Sequence, residues 1–157
     1  MLKKLSIAVL LALGASSGQA AEFLLTDAQQ GLDVGDWKIT SDKLGIKSPV
    51  PFSIEKKRLH GGRQEGVDLL IVDNGVMKIT LVPPRGMGIK EVKGADLRLG
   101  WDSPVKEVVN PAFIDLESRA GLGWLDGFNA MLVRCGYEWT GHPGGADDGR
   151  LKSLHGR

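Results

Sequence analysis

The sequence predicts a mainly β fold, and three observations carry that prediction. Two β-rich runs, Val67 to Val72 and Val76 to Val82, flank Asp73-Asn74-Gly75, a strong hairpin signal because Asn-Gly tolerates positive φ in a type I′ turn. In the second run Met77, Ile79 and Leu81 alternate with Lys78 and Thr80, so one face turns inward and the other toward water. The chain also holds 22 glycines in 157 residues, about twice the usual share, which favours many turns over long helices. No internal repeat, heptad pattern or basic amphipathic helix competes with this reading.

The chain opens with Lys3 and Lys4, an apolar run from Leu5 to Ala15, and the small residues Ser16-Ser17-Gly18-Gln19-Ala20. This is the pattern of a secretory signal peptide over residues 1–20, cleaved after Ala20. The apolar run is shorter than the roughly 20 residues of a membrane span, and no later segment approaches that length. The expected mature protein is therefore exported, periplasmic or secreted, with no membrane attachment after cleavage. Residues 21–58 read as a lead-in segment lying on the main body. Within it Asp36-Trp37-Lys38-Ile39-Thr40 fits a short strand, and Ser48-Pro49-Val50-Pro51 breaks any helix.

Leu59-His60-Gly61-Gly62-Arg63-Gln64-Glu65-Gly66 is a turn cluster ahead of the first hairpin. After it, Pro83-Pro84 ends the second strand and Arg85-Gly86-Met87-Gly88 follows. Ile89 to Val92 and Leu97 to Trp101 then flank Lys93-Gly94-Ala95-Asp96 as a second hairpin. Asp102-Ser103-Pro104 is a further stop, Asn110-Pro111-Ala112-Phe113 opens a connection, and Trp124 to Cys135 suits a short helix or strand.

Gly121 to Pro143 is compositionally distinct: it holds two of the four tryptophans, the only cysteine and tyrosine, and five glycines. Dense glycine beside large aromatics lets backbone and rings approach a partner closely, and a saccharide with apolar C–H faces is one such partner. A glycine-rich turn region with core tryptophans is the plainer reading of the same residues. Cys135 stands alone, so no intramolecular disulfide forms and the domain is held by its core; a small buried apolar residue is its ordinary role.

Several chemistries are disfavoured. Lys and Arg number 20 against 19 for Asp and Glu, a net charge of +1 that gives no electrostatic case for nucleic acid. His60, His142 and His155 are far apart, with no His-x-x-x-His or Cys-x-x-Cys spacing, so no metal is expected; His142 with Asp147 is a solvated loop pair. Neither a dinucleotide fingerprint nor a phosphate-binding loop is present, and no cofactor is expected. A Gly-x-Ser-x-Gly nucleophile elbow is also lacking. What remains is a polar set: Arg85, Trp101, Asn129, Arg134, His142, His155 and Arg157. Arginine can hold a hydroxyl or carboxylate in a fork, histidine can shuttle a proton near neutral pH, and tryptophan can stack on a pyranose. Each is as readily structural when taken singly.

Six segments in order give the set a common meaning. They are Leu59-His-Gly-Gly-Arg-Gln-Glu-Gly-Val-Asp68, Pro84-Arg-Gly-Met-Gly-Ile89, Gly100-Trp-x-Ser-Pro104, Gly121-Leu-Gly-Trp-Leu-x-Gly-Phe128, Arg134-Cys-Gly136 with Gly141-His-Pro143, and Leu154-His-Gly-Arg157. Together they resemble the DUF4432 family, grouped with aldose 1-epimerase-like proteins of the galactose mutarotase-like superfamily. The resemblance implies a β-supersandwich, with residues 59–157 as its N-terminal part and a small-molecule sugar bound in a cleft on one sheet. It implies a protein about twice this length, in accord with the abrupt ending at Leu154-His155-Gly156-Arg157. In such enzymes a Glu or Asp removes the anomeric hydroxyl proton while a His protonates the ring oxygen, without metal or nucleotide. Leu154-His155-Gly156 is similar to the mutarotase element that supplies a site histidine, which makes His155 the catalytic candidate. Arg85, Trp101, His142 and Arg157 are the substrate-binding candidates. The carboxylate base and a second histidine lie in the later half of mutarotases, and here Glu138 and Asp102 occupy no matching motif. A non-catalytic carbohydrate-binding protein on the same fold, or an inactive fragment, is the alternative expectation.

Overall fold

The hairpin signal at Asp73-Asn74-Gly75 builds the centre of the structure, a computed structural model that describes residues 21–134, 136, 139–145 and 149–156. The expected signal peptide, Cys135, Glu138, Asp147 and Arg157 lie outside the described residues. Strands β5 (Asp68–Asp73) and β6 (Met77–Val82) pair antiparallel, with Asp73 opposite Lys78. Gly75 takes φ 80, while Asn74 and Val76 keep negative φ, so only one residue of the turn uses the left-handed region and the I′ geometry expected for Asn-Gly is not formed. Asn74 contributes differently. Its side-chain oxygen accepts from the Val76 and Met77 amides at 3.0 and 2.7 Å and closes the turn in place of a backbone carbonyl.

The second hairpin forms as expected from β7 (Gly88–Gly94) and β8 (Leu97–Gly100), closed by Ala95 and Asp96. Between β6 and β7 the register shifts after Thr80: Thr80 faces Glu91 and Leu81 faces Ile89, which leaves Lys90 as the extra residue of a bulge. Beyond the end of β8, Ile89 exchanges backbone bonds with Leu132 at 2.8 and 3.0 Å. The segment after Phe128 thereby adds to the sheet edge.

The lead-in differs from its expected role. Strands β3 (Trp37–Thr40) and β4 (Ser53–Arg58) are the first two strands of one six-stranded antiparallel meander, ordered β3-β4-β5-β6-β7-β8. The short strand expected at Trp37 is present, whereas β4 shows no apolar alternation in Ser-Ile-Glu-Lys-Lys-Arg because its inward position is a lysine. Lys56 is only 4% exposed and is neutralised by Asp33 at 2.8 Å and Asp68 at 3.2 Å, with the Gly35 carbonyl at 3.0 Å. Asp33 ends β2 (Leu32–Asp33), which pairs with β1 (Thr26–Asp27), so this ion cluster ties the first hairpin to the sheet.

One apolar row crosses all six strands in register: Ile39, Ile54, Val72, Ile79, Val92 and Leu99. It is half-buried along its length and ends in Leu99, 48% exposed on edge strand β8. The opposite face carries the buried core. Leu69, Val82, Val67 and Val108 pack there with Leu59 and Ile71, under the connection that runs from Asp102 to Asn110. Asn110 pins that connection: it accepts from the Ala112 amide at 3.0 Å, and its amide group donates to the Glu65 carbonyl at 2.8 Å. No helix among the described residues is long and apolar enough to cross a membrane.

Candidate functional site

The site lies where periodic structure stops. Strand β6 ends at Pro83, whose ring cannot donate to a ladder, and the chain turns through the 3₁₀ segment Pro83–Arg85. Gly86 at φ 64 and Met87 at φ 57 reverse it into β7. This reversal projects Arg85 over the coil that follows Phe128. Its guanidinium donates to Asn129 Oδ1 at 3.1 Å. Asn129 is 3% exposed and fully engaged, since its Nδ2 also donates to the Val105 and Glu107 carbonyls at 3.2 and 2.6 Å. Burial pushes the Arg85 pKa below the ordinary arginine value. Gly127 makes the approach possible: a Cβ there would overlap Ile114 Cδ1 and crowd the Arg85 guanidinium at 3.4 Å.

His155 arrives from the other end of the coil. Its amide donates to the Gly141 carbonyl at 3.0 Å, and its carbonyl accepts from the Gly136 amide at 2.9 Å. The backbone takes φ 58 at His155 and φ 78 at Gly156, and a Cβ on Gly156 would overlap the Trp139 carbonyl oxygen. Only glycine fits after this histidine. The His155 ring stands 4.5 Å from the Trp124 ring, Trp124 lies 4.4 Å from Phe128, and Phe128 lies 4.4 Å from Trp101, centroid to centroid. Ser103 holds the near end of this stack by donating to the Phe128 carbonyl at 2.7 Å.

Arg85 and His155 line one cavity of about 650 Å³. Trp124, Arg134, Ile114 and Met87 are among its other walls, with Pro84, Gly86, Gly136 and Gly156 giving it backbone surface. The volume suits a monosaccharide or a somewhat larger ligand. The wall pairs a large aromatic and aliphatic side chains with a few polar groups that converge on the space.

The other candidates fall elsewhere. Trp101 does not line the cavity. It is 42% exposed and reaches the site only through the Phe128 stack, because β8 ends at Gly100 on the sheet edge. His142 is exposed, with Nδ1 3.1 Å from the Pro143 carbonyl oxygen, and also lies outside the lining. Arg157 lies outside the described residues. Asp102, with a side chain 92% exposed, is 3.9 Å from Arg98 on the far side of β8's end and is not part of the lining. Trp124 was not among the residues expected from sequence, and Arg134 stood only in the wider polar set; both sit in the six segments, and the motif spacing alone does not say which aromatic meets His155. Among the described residues no group of three or more His, Cys, Asp or Glu side chains is placed to hold a metal ion.

The family described as a domain of unknown function, DUF4432, matches residues 64–157. The chain belongs to the DUF4432 family. A crystal structure of a protein from Klebsiella pneumoniae subsp. pneumoniae MGH 78578, described as a candidate aldose 1-epimerase, superposes with a TM-score of 0.82 at 58% identity. That match covers 86% of this chain and 35% of the Klebsiella chain, so the DUF4432 chain spans about a third of its neighbour's length. No curated protein matches the chain. At this identity the two share a fold, mainly β and antiparallel, of the aldose 1-epimerase-like type.

Proposed function

We propose that this protein acts on a sugar as an aldose 1-epimerase-like enzyme, interconverting anomers by opening and reclosing the ring. The observation that carries the reading is the shared cavity: Arg85 and His155, from separate motifs, line one space with the Trp124 ring 4.5 Å from the imidazole and tilted against it. The Klebsiella neighbour's description supports it.

In the proposed reaction a carboxylate base takes the anomeric hydroxyl proton as the bond between C1 and the ring oxygen breaks. His155, protonated, gives its proton to the ring oxygen, so charge is neutral overall and no co-reactant is consumed. Rotation about C1–C2 and the reverse transfers close the ring on the other face. Arg85 donates to ring hydroxyls and fixes the sugar against Trp124. Among the described residues that line the cavity there is no Asp or Glu, so the base in this scheme comes from outside them. That same observation favours a second reading, a carbohydrate-binding protein without catalysis.

Anomer exchange followed by NMR on a panel of aldoses separates the two. Acceleration over buffer that His155→Gln abolishes carries the enzyme reading, binding without acceleration carries the second, and neither binding nor acceleration defeats both. We further propose that the protein is exported. N-terminal sequencing of the mature chain then begins at Ala21, and a retained Met1 overturns export by this signal.

A further inference from the structure

Six of the guanidinium groups among the described residues divide into two sets. Arg58 is paired with Asp33 and Asp68, Arg63 with Glu107 at 3.4 Å, Arg98 with Glu91 at 2.9 Å, and Arg119 with Asp126 at 2.8 Å. Arg85 and Arg134 are different. Both line the cavity, and among the described residues neither meets a carboxylate. Arg85 donates instead to the neutral amide of Asn129, although it is half-buried and its surroundings disfavour its charge. Lys90 adds to the same field: burial pushes its pKa down, and Arg85 and Arg98 are among the cations that push it further while Glu91 opposes them. With His155 as a further ionisable group of the wall, every ionisable side chain among the described lining residues is basic.

This is an unusual use of arginine in a chain whose net charge is only +1. A guanidinium partly withdrawn from water with no counter-ion, as Arg85 is, is costly, and proteins keep such groups where an anion arrives to meet them. Arg134 is exposed and adds a second fork on the same wall. A neutral aldose offers hydroxyls, which accept a hydrogen bond but leave the charge uncompensated. A carboxylate or phosphate accepts two parallel N–H bonds and cancels the charge, the arrangement for which the planar fork is built.

We propose that the cavity selects an anionic sugar, one bearing a carboxylate or phosphate group, with Arg85 and Arg134 holding the acidic group beside the His155–Trp124 pair. The inference rests on the sugar-site reading above and narrows its substrate class.

Calorimetric titration of the 157-residue chain tests it, with D-glucose, D-galactose, D-glucuronate, D-galacturonate, D-glucose 6-phosphate and inorganic phosphate as the ligands. At least one acidic sugar is expected to bind about tenfold or more tightly than its neutral parent, the size of one charge-assisted pair. That preference falls as salt rises and shrinks in Arg134→Gln, while Arg134→Lys, which keeps the charge, retains more of it. Arg134 is exposed, so far-UV circular dichroism of both variants is expected to match the parent. The uronates against the sugar phosphate show which acidic group is read. Neutral sugars binding as tightly as acidic ones overturn this inference and leave the sugar site standing. Inorganic phosphate binding as tightly as the sugar phosphate also overturns it, and a chain that binds no sugar at all removes the sugar-site reading with it.

Discussion

The meander from Trp37 to Gly100 and the coil from Trp101 to Gly156 are held together by different means. In the meander, adjacent strands satisfy one another's backbone through a continuous antiparallel ladder, and surface pairs such as Lys38–Glu55 and Arg98–Glu91 decorate it. Loss of one such pair costs little, because exposed ion pairs contribute about 0–1 kcal/mol. Among the described residues of the coil the ladder shrinks to a two-residue pairing of Gly144–Gly145 with Leu151–Lys152. Single side chains serve distant carbonyls, as Asn129 serves Val105 and Glu107, and glycines allow backbones to touch where any Cβ would collide. Among the described residues the two buried polar side-chain atoms without a partner, Ser118 Oγ and Trp139 Nε1, are both in the coil. Arg119 and Ala120, non-glycine residues at φ 51 and 56, lie there too. A ladder repeats and so tolerates change; a one-off contact has no neighbour to replace it. The cavity is built almost wholly from such contacts, which is why it can place an arginine and a histidine that sequence keeps far apart.

The largest expected effect follows directly. Gly156→Ala drives a methyl into the Trp139 carbonyl at a residue already at φ 78, and should destabilise the protein by about 3 kcal/mol or more from overpacking and left-handed strain together. Gly144→Ala, with nothing within 4 Å of the new methyl, is the control and should leave the midpoint of urea unfolding in place. Equal midpoints for the two variants would show that the close approach at Gly156 is not what holds this part of the coil. Next in size is Asn129→Ala. It strands the Val105 and Glu107 carbonyls and releases the Arg85 guanidinium, a loss of about 2–3 kcal/mol for buried groups left unpaired, read by the same urea titration. Sugar affinity should fall along with stability, since Asn129 positions Arg85.

Legibility in the sequence follows the same division. Alternation in Met77-Lys-Ile-Thr-Leu and the turn residues around Gly75 and Ala95 were enough to place both central hairpins, because a ladder writes its period into the sequence. The face expected to turn inward is the wrong one, however: the core packs on the Thr80–Val82 face while Met77 is 45% exposed. Strand β4 was not legible, since its inward Lys56 is made acceptable by Asp33 and Asp68, which are distant in the chain. The Asn-Gly pair pointed to the correct turn through a different mechanism, the Asn74 side chain acting as the closing acceptor. In the site, Arg85 and His155 were legible only through motifs. Their meeting in one cavity depends on Gly127, Gly156 and the Trp124 stack, contacts that leave no period to read. Trp101 and His142 looked equivalent to them as residue types. Their places on a sheet edge and an exposed turn are set by where β8 and the Gly141 turn happen to end.

The ion cluster that binds the first hairpin to the meander should respond to acid. Asp33 is held well below the usual carboxylate range, first by the hydrogen bond from Lys56, then by the Gly35 amide and by Arg58. A carboxylate lowered in the folded state stabilises it fully above the unfolded value near 3.8, and that contribution is lost as the pH falls through the folded value. The β1–β2 hairpin is therefore expected to loosen from the sheet in strong acid before the meander unfolds. Phe23, 5.1 Å from Trp37 between ring centroids, makes tryptophan fluorescence a reporter of that step. Asp33→Asn should flatten the acid limb; an unchanged limb would assign the transition to other groups.

The smallest expected effect runs in the stabilising direction and tests whether the meander, too, carries strain. Ala95 closes the β7–β8 turn at φ 45, a conformation that costs a residue with a Cβ and costs glycine almost nothing. Replacing it removes that cost from the folded state but also frees the unfolded chain, and the two changes oppose each other. Strain relief is the larger of the two at a left-handed position, so Ala95→Gly should stabilise by about 1 kcal/mol at most. Urea unfolding would show it as a raised midpoint with an unchanged slope, because the turn is at the surface and no buried area is altered. A lowered midpoint would mean that chain entropy outweighs the strain at this turn. It would also mean that the ladder beside it, with Gly94 paired to Leu97, absorbs the left-handed residue at little cost.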